Sequence, residues 1–85
     1  MQLQQSAAEL AAHFWKLPNE GLVDQNVVCA ALGKSSAWAE RSRWAGTGPR
    51  FKKVGRHVRY IKADVLAWLE QQPSVNSTSE HTEAV

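Results

Sequence analysis

The run Gly46-Thr47-Gly48-Pro49-Arg50-Phe51-Lys52-Lys53-Val54-Gly55-Arg56-His57-Val58-Arg59-Tyr60 decides how this chain is to be read. It opens with a Gly-Thr-Gly-Pro break, where two glycines relax φ and a proline refuses to continue a helix. Two short stretches of mixed apolar and basic residues follow, Phe51–Val54 and Val58–Ile61, separated by Gly55-Arg56-His57. That pattern predicts a β-hairpin with a three-residue loop. With that loop Val54 faces Val58, Tyr60 joins them on the core side, and Lys53 and Arg59 project outward together; a two-residue turn would shift this register and swap the faces. Like charges side by side are unfavourable on a bare hairpin. A phosphate near them relieves the repulsion.

The positive charge reaches beyond the hairpin. Nine basic residues lie between Lys34 and Lys62 (Lys34, Arg41, Arg43, Arg50, Lys52, Lys53, Arg56, Arg59 and Lys62), against one acid, Glu40. The whole chain carries a formal net charge of only +2, so its other acids are segregated on either side of this segment. A uniform mixture would signal solubility; segregation marks a face that meets a polyanion.

Upstream of the break, Asp24 is placed to cap a helix running to Leu32, with Val23 and Val28 as a hydrophobic staple. Val28, Cys29 and Leu32 form its buried stripe. Gly33-Lys34 makes a turn, and Ser35 caps a second helix ending at Trp44 or Ala45. Helix, short glycine-containing turn, helix is the helix-turn-helix pattern. On a helical wheel Ala39 and Ser42 share the inner side, flanked by Trp38 and Arg43, while Ala37, Glu40, Arg41 and Trp44 point outward. An arginine, an acid and small residues on an outward face suit base edges and phosphates in a major groove. Downstream, a third helix from about Ala63 to Gln71 places Asp64 in its first turn, where the helix dipole favours negative charge. Its spacing buries Val65, Trp68 and Leu69.

At the start of the chain, residues 2–17 read as an amphipathic helix through Leu3, Ala7, Leu10, Phe14 and Leu17, stopped by Pro18-Asn19-Glu20-Gly21. Two heptads are short for a self-sufficient coiled coil, so packing over the following domain is favoured over a dimer seam. From Pro73 onward the polar run predicts disorder. The 85 residues, 44% of them apolar, make one small domain, and four tryptophans are available to fill its core. The single cysteine forms no internal disulfide, and no Cys/His group has metal spacing. No apolar run reaches membrane-spanning length, and the beginning of the chain lacks a basic lead-in, so neither a membrane span nor a signal peptide is expected.

With these pieces in order, the segment 22–71 resembles the AlpA-like, excisionase-type helix-turn-helix family, small winged-helix proteins related to the DNA-binding domain of MerR regulators. The likeness rests on Ala31-Leu32-Gly33-Lys34-Ser35, Glu40-Arg41, Gly46-Thr47-Gly48-Pro49, Phe51, Val54-Gly55-Arg56, Val58-Arg59-Tyr60, Asp64-Val65 and Ala67-Trp68-Leu69. No one piece is specific; the set at these intervals is. The fold it implies is mainly α with a small β-hairpin, a MerR-like winged helix-turn-helix at 21–72, preceded by an extra amphipathic helix and linker at 1–20 and followed by a disordered polar tail at 73–85. The function it implies is sequence-specific binding of double-stranded DNA in a phage or mobile element, as excisionase, transcriptional regulator or both. Carried onto this chain, the recognition helix would use Lys34, Ser35, Ser36, Ala37, Glu40, Arg41 and Arg43. The wing would use Arg50, Lys52, Lys53, Arg56, His57 and Arg59. An integrase, self-association on DNA and a bacterial cytoplasmic, nucleoid-associated location belong to the same expectation; a cofactor or metal does not.

The chain departs from the family pattern at Ser42, where a tryptophan or similar bulky residue is usual, and at Ala39, where a bulky aliphatic is. Trp38 stands one turn away to supply the missing volume. Lys52 replaces an apolar wing residue. Two other classes compete. In an adaptor, the Leu3–Leu17 stripe would engage a partner protein. A single-strand binder would need stacking aromatics on a basic sheet face, whereas here the aromatics fall at core spacing. An enzyme finds little support, for the sequence offers neither a nucleophile–base pair nor a carboxylate dyad, and His57 beside Arg56 reads as a wing contact.

Overall fold

Three of the four helix starts among the described residues are written into the local sequence. In the computed structural model, which describes residues 6–77, Ser6 caps helix α1 (Ala7–Lys16) in a full capping box: its hydroxyl accepts from the Glu9 N–H, and the Glu9 carboxylate accepts from the Ser6 N–H. The helix expected from residue 2 therefore begins at Ala7, since the capping serine is extended; Leu3 lies outside the described residues. Asp24 caps α2 (Gln25–Leu32) and Ser35 caps α3 (Ser36–Ala45), both as expected. Gly33 and Gly46 close these two helices in the left-handed region, at φ of 70° and 74°.

Three strands complete the fold. Strand β1 (Leu22–Val23), β2 (Lys52–Val54) and β3 (His57–Ile61) form an antiparallel sheet in the order β1-β3-β2. Two-residue β1 carries no alternation long enough to be read from sequence, and was not expected. Helix α4 (Lys62–Glu70) follows β3 directly and has no side-chain cap. Its first amides are satisfied by the chain instead: Lys62 N–H donates to Gly21 O at 2.9 Å and Ala63 N–H to Asn19 O at 2.8 Å. The result is the winged helix-turn-helix expected, mainly α with a small sheet.

The hairpin differs from expectation by one residue. Its turn is Gly55-Arg56, and the facing pairs are Val54 with His57, Lys53 with Val58, and Lys52 with Arg59. Gly55 takes φ of 65° while Arg56 does not have a positive φ, the type II′ arrangement that matches strand twist in a two-residue loop. A one-residue shift exchanges faces. Val54 thus lies opposite His57 and is half exposed, and Lys52, rather than Lys53, is the partner of Arg59.

The core holds Phe14, Val23, Val27, Val28, Tyr60 and Val65, ringed by Leu10, Leu17, Ala31, Leu32, Val58 and Leu66. Helix α1 packs on α2 and puts Phe14, fully buried, at the centre with Leu10 and Leu17 against it, while Ala7 of the expected stripe is exposed. The tryptophans are not core residues. Trp44 is 93% exposed, Trp15 half exposed, and Trp38 and Trp68 half-buried against each other, their rings 5.8 Å apart edge to face. Leu69, expected inside, is 39% exposed; Leu66 packs against the core in its place. Of the tail, 73–77 has no regular secondary structure and 78–85 lies outside the described residues.

Candidate nucleic-acid interface

Helix α3 is held from beneath by small residues. Ala39 and Ser42 face inward and are buried, with the Ser42 hydroxyl donating to Ala39 O at 3.0 Å. Gly48 lies directly against Ser42: a Cβ there would come within 2.6 Å of Oγ and 2.9 Å of the Ser42 Cβ. A bulky residue at 42 could not share this space with the connector, so Ser42 and Gly48 fit as a pair. The aromatic volume moves to the flank, where the Trp68 indole N–H donates to Thr47 O at 2.9 Å and its ring props Trp38. Cys29 ties α2 to the start of α3, its thiol donating to Ser35 O at 3.3 Å. Burial pushes that thiol above its ordinary value of 9.0; Arg43 opposes the rise and Asp24 adds to it.

With the inner side fixed, Ser36, Ala37, Glu40, Arg41 and Trp44 are exposed on α3, and Lys34 and Ser35 are exposed at its entry. Lys34 rests its ammonium 5.6 Å from the centre of the Trp38 ring. On the hairpin, Lys52, Val54, His57 and Arg59 share the face turned away from Tyr60, as their register requires. Arg56 stands at the exposed turn. Lys53 lies on the Val58 side but is itself exposed, and Arg50 is exposed on the connector. Arg59 is half-buried, with Nη1 donating to Val58 O at 2.8 Å.

Two of the nine cations are placed otherwise. Arg43, expected among the DNA contacts, turns inward: Nη1 donates to Gln25 Oε1 at 2.8 Å and to the Tyr60 hydroxyl at 3.0 Å, and the guanidinium lies 5.8 Å from the Phe51 ring centre. One side chain thereby ties α2, α3, β3 and the entry to β2. Its position at the flank of the inner side of the wheel already pointed to this role. Lys62 is 7% exposed and donates to Trp15 O at 3.0 Å and Leu17 O at 2.8 Å. It fastens the end of α1, with its ammonium 5.6 Å from the Phe14 ring centre and 5.8 Å from that of Trp15.

Seven cations remain on the outside: Lys34, Arg41, Arg50, Lys52, Lys53, Arg56 and Arg59. Among the described residues none of them forms an ion pair with a carboxylate. Lys52 and Arg59 stand directly opposite each other, neither paired with an acid among the described residues, an arrangement that an anion relieves. Trp44 is exposed on the same outward side of α3 as Ala37, Glu40 and Arg41, where the wheel puts it, and is not among the residues that the resemblance assigns to DNA. Among the described residues no helix is long and apolar enough to cross a membrane. A family model described as a helix-turn-helix domain matches residues 23–73, from β1 to just beyond α4. No curated protein matches the chain.

Proposed function

Since the chain belongs to the helix-turn-helix domain family of AlpA-like and excisionase-like DNA-binding domains, we propose that it reads a specific double-stranded site through α3 and grips the backbone with its hairpin. The observation that carries this reading is the set of seven outward cations on the α2–α3 turn, α3, the connector and the hairpin, none of which pairs with a carboxylate among the described residues. Neutralising phosphates releases counterions and supplies salt-dependent affinity. Arg41 and Glu40 would address base edges, a guanine and a cytosine amino group being the partners their chemistry fits. Ser35, Ser36 and Ala37 lie at the N-terminal end of α3, the end that enters the major groove in helix-turn-helix proteins. Lys52, Arg56, His57 and Arg59, with Lys53 and Arg50 beside them, would follow the backbone or the adjacent minor groove. Arg43 would act through the fold, holding the hairpin to the helix.

We place the protein in a phage or mobile element of a bacterium, at the nucleoid, acting without catalysis as an excisionase, a transcriptional regulator or both. Adjacent copies would associate along DNA, and an integrase would be the partner where excision is the output. Titration of the protein against a duplex site tests the core of this reading. Affinity should fall steeply with salt. Arg41→Ala should relax sequence preference by roughly 1–3 kcal/mol at one position, while Arg59→Ala should weaken all duplexes about equally. Affinity indifferent to salt, or a preference for single strands, overturns it. Footprinting across the element's attachment sites and the protein's own promoter separates excision from regulation.

A further inference from the structure

Among the described residues, Trp44 is the large apolar side chain left most completely in solvent, at 93% exposure. Single exposed apolar residues are ordinary and by themselves say nothing. This one stands on the outward stripe of α3, seven residues after Ala37 and three after Arg41, so all three fall on one side of the helix. Among the described residues its ring packs against no other aromatic and its indole N–H has no acceptor. Beside it on that side stand Arg41, three residues back, and the acid Glu40, four back, and the connector and hairpin that follow add Arg50, Lys52, Lys53, Arg56 and Arg59, which have no carboxylate partner among the described residues. A polyanion suits such a surface better than an apolar protein partner does.

We propose that Trp44 is a specificity-determining residue that reads the C5-methyl group of a thymine in the major groove. This rests on the reading of α3 as the recognition helix. The methyl is the one apolar feature that a base edge offers there, and an indole is the side chain on this stripe that can cover it. Three residues of helix advance about 4.5 Å, against about 3.4 Å per base along one strand. The thymine therefore lies one or two base pairs from the guanine addressed by Arg41.

The test uses the full chain and its preferred site, obtained by selection from a random duplex pool. Each thymine of the site is replaced in turn by deoxyuridine, which removes the methyl and keeps every hydrogen bond. The wild-type protein should lose about fourfold in affinity at one position, the value of one buried methyl. Trp44→Ala should bind the thymine and deoxyuridine duplexes alike, and Trp44→Phe should keep most of the difference. Thermal unfolding should be unchanged in both variants, as expected for an exposed side chain. If Trp44→Ala keeps the wild-type methyl sensitivity, or alters only cooperativity between tandem sites, the proposal is wrong, and in the second case Trp44 contacts a neighbouring copy. If Arg41→Ala relaxes its position while Trp44→Ala changes nothing, the recognition helix stands and only the thymine contact falls. If the wild-type chain selects no duplex at all, both fall together.

Discussion

Lys62→Met is the substitution that most sharply separates charge as a ligand for DNA from charge as a structural fastener. The lysine is 7% exposed, and its ammonium donates to Trp15 O at 3.0 Å and Leu17 O at 2.8 Å. Both acceptors belong to the C-terminal end of α1, where carbonyls lack helical partners and the dipole favours a cation. Methionine keeps the apolar stem and removes both bonds. Each hydrogen bond to a charged group contributes roughly 1.5–3 kcal/mol. Relief of the buried ammonium's desolvation and rehydration of the carbonyls near half-exposed Trp15 offset part of the loss. A net cost of about 2–3 kcal/mol follows. A chain of this length has about 4–13 kcal/mol in total, and each kcal/mol moves Tm by about 4–8 °C, so Tm should drop by about 8–24 °C. Urea and thermal unfolding measure it, with exposed Lys16→Met as the control that should change little. The second readout is DNA binding below the transition. With the ammonium unavailable, the slope of log affinity against log salt should stay at the wild-type value. A stability loss under about 0.5 kcal/mol, or a slope reduced by about one, would refute the reasoning.

Four further substitutions probe other joints. Gly48→Ala forces a Cβ to within 2.6 Å of Ser42 Oγ and should cost about 1–3 kcal/mol by overpacking, measured by urea unfolding, with partial rescue by Ser42→Gly. Asp24→Ala removes the acceptor of the Val27 N–H and should cost about 1 kcal/mol on the same assay. Arg56→Ala, at the exposed turn of the hairpin, should leave stability within about 0.5 kcal/mol and lower the salt slope of duplex binding by about one. Burial raises the Cys29 thiol above 9.0, so its contribution to stability is complete below that pH and is lost as pH climbs past it. The difference in unfolding free energy between wild type and Cys29→Ala should therefore be flat up to about pH 8 and shrink in alkali.

The parts of the fold that were legible in the sequence are those governed by local chemistry. Asp24 and Ser35 mark helix starts because their side chains serve amides three residues ahead. The inward Ala39 and Ser42 follow from a period of 3.6. What escaped depends on contacts distant in sequence. Strand β1 exists because β3 pairs with it, and two residues carry no period of their own. The hairpin register turns on whether His57 belongs to the loop or to the strand, and local propensity does not separate those cases. Arg43 and Lys62 were counted by charge, which composition displays, while their partners Tyr60, Gln25, Trp15 and Leu17 are 15 or more residues away in sequence. The tryptophans mislead for a related reason. Their size suggests a core, but this core is already filled by Phe14, Tyr60 and valines.

The corrected register also makes better physical sense of the wing than the expected one. With Lys53 opposite Arg59, the Lys52 side chain would have lain on the same face as core-bound Tyr60, taking an ammonium toward the apolar interior. With Lys52 opposite Arg59, the paired cations and His57 share the face away from Tyr60. In the proposed complex, where that face sits against a duplex depends on how the hairpin is held relative to α3. Arg43 supplies the link, since its guanidinium reaches the Tyr60 hydroxyl from α3 and lies over Phe51 at the entry to β2. Cutting that link without touching any outward cation should loosen the register between helix and hairpin. Tyr60→Phe does this, removing one acceptor from a buried ring and keeping its volume. It should cost about 1.5 kcal/mol in stability, the lower end for a bond to a charged group. Its effect on binding should appear as lost discrimination among duplexes with the salt slope unchanged, because the number of phosphate contacts is preserved while their placement is not. An unchanged site preference in a folded Tyr60→Phe protein would mean that helix and hairpin grip DNA independently.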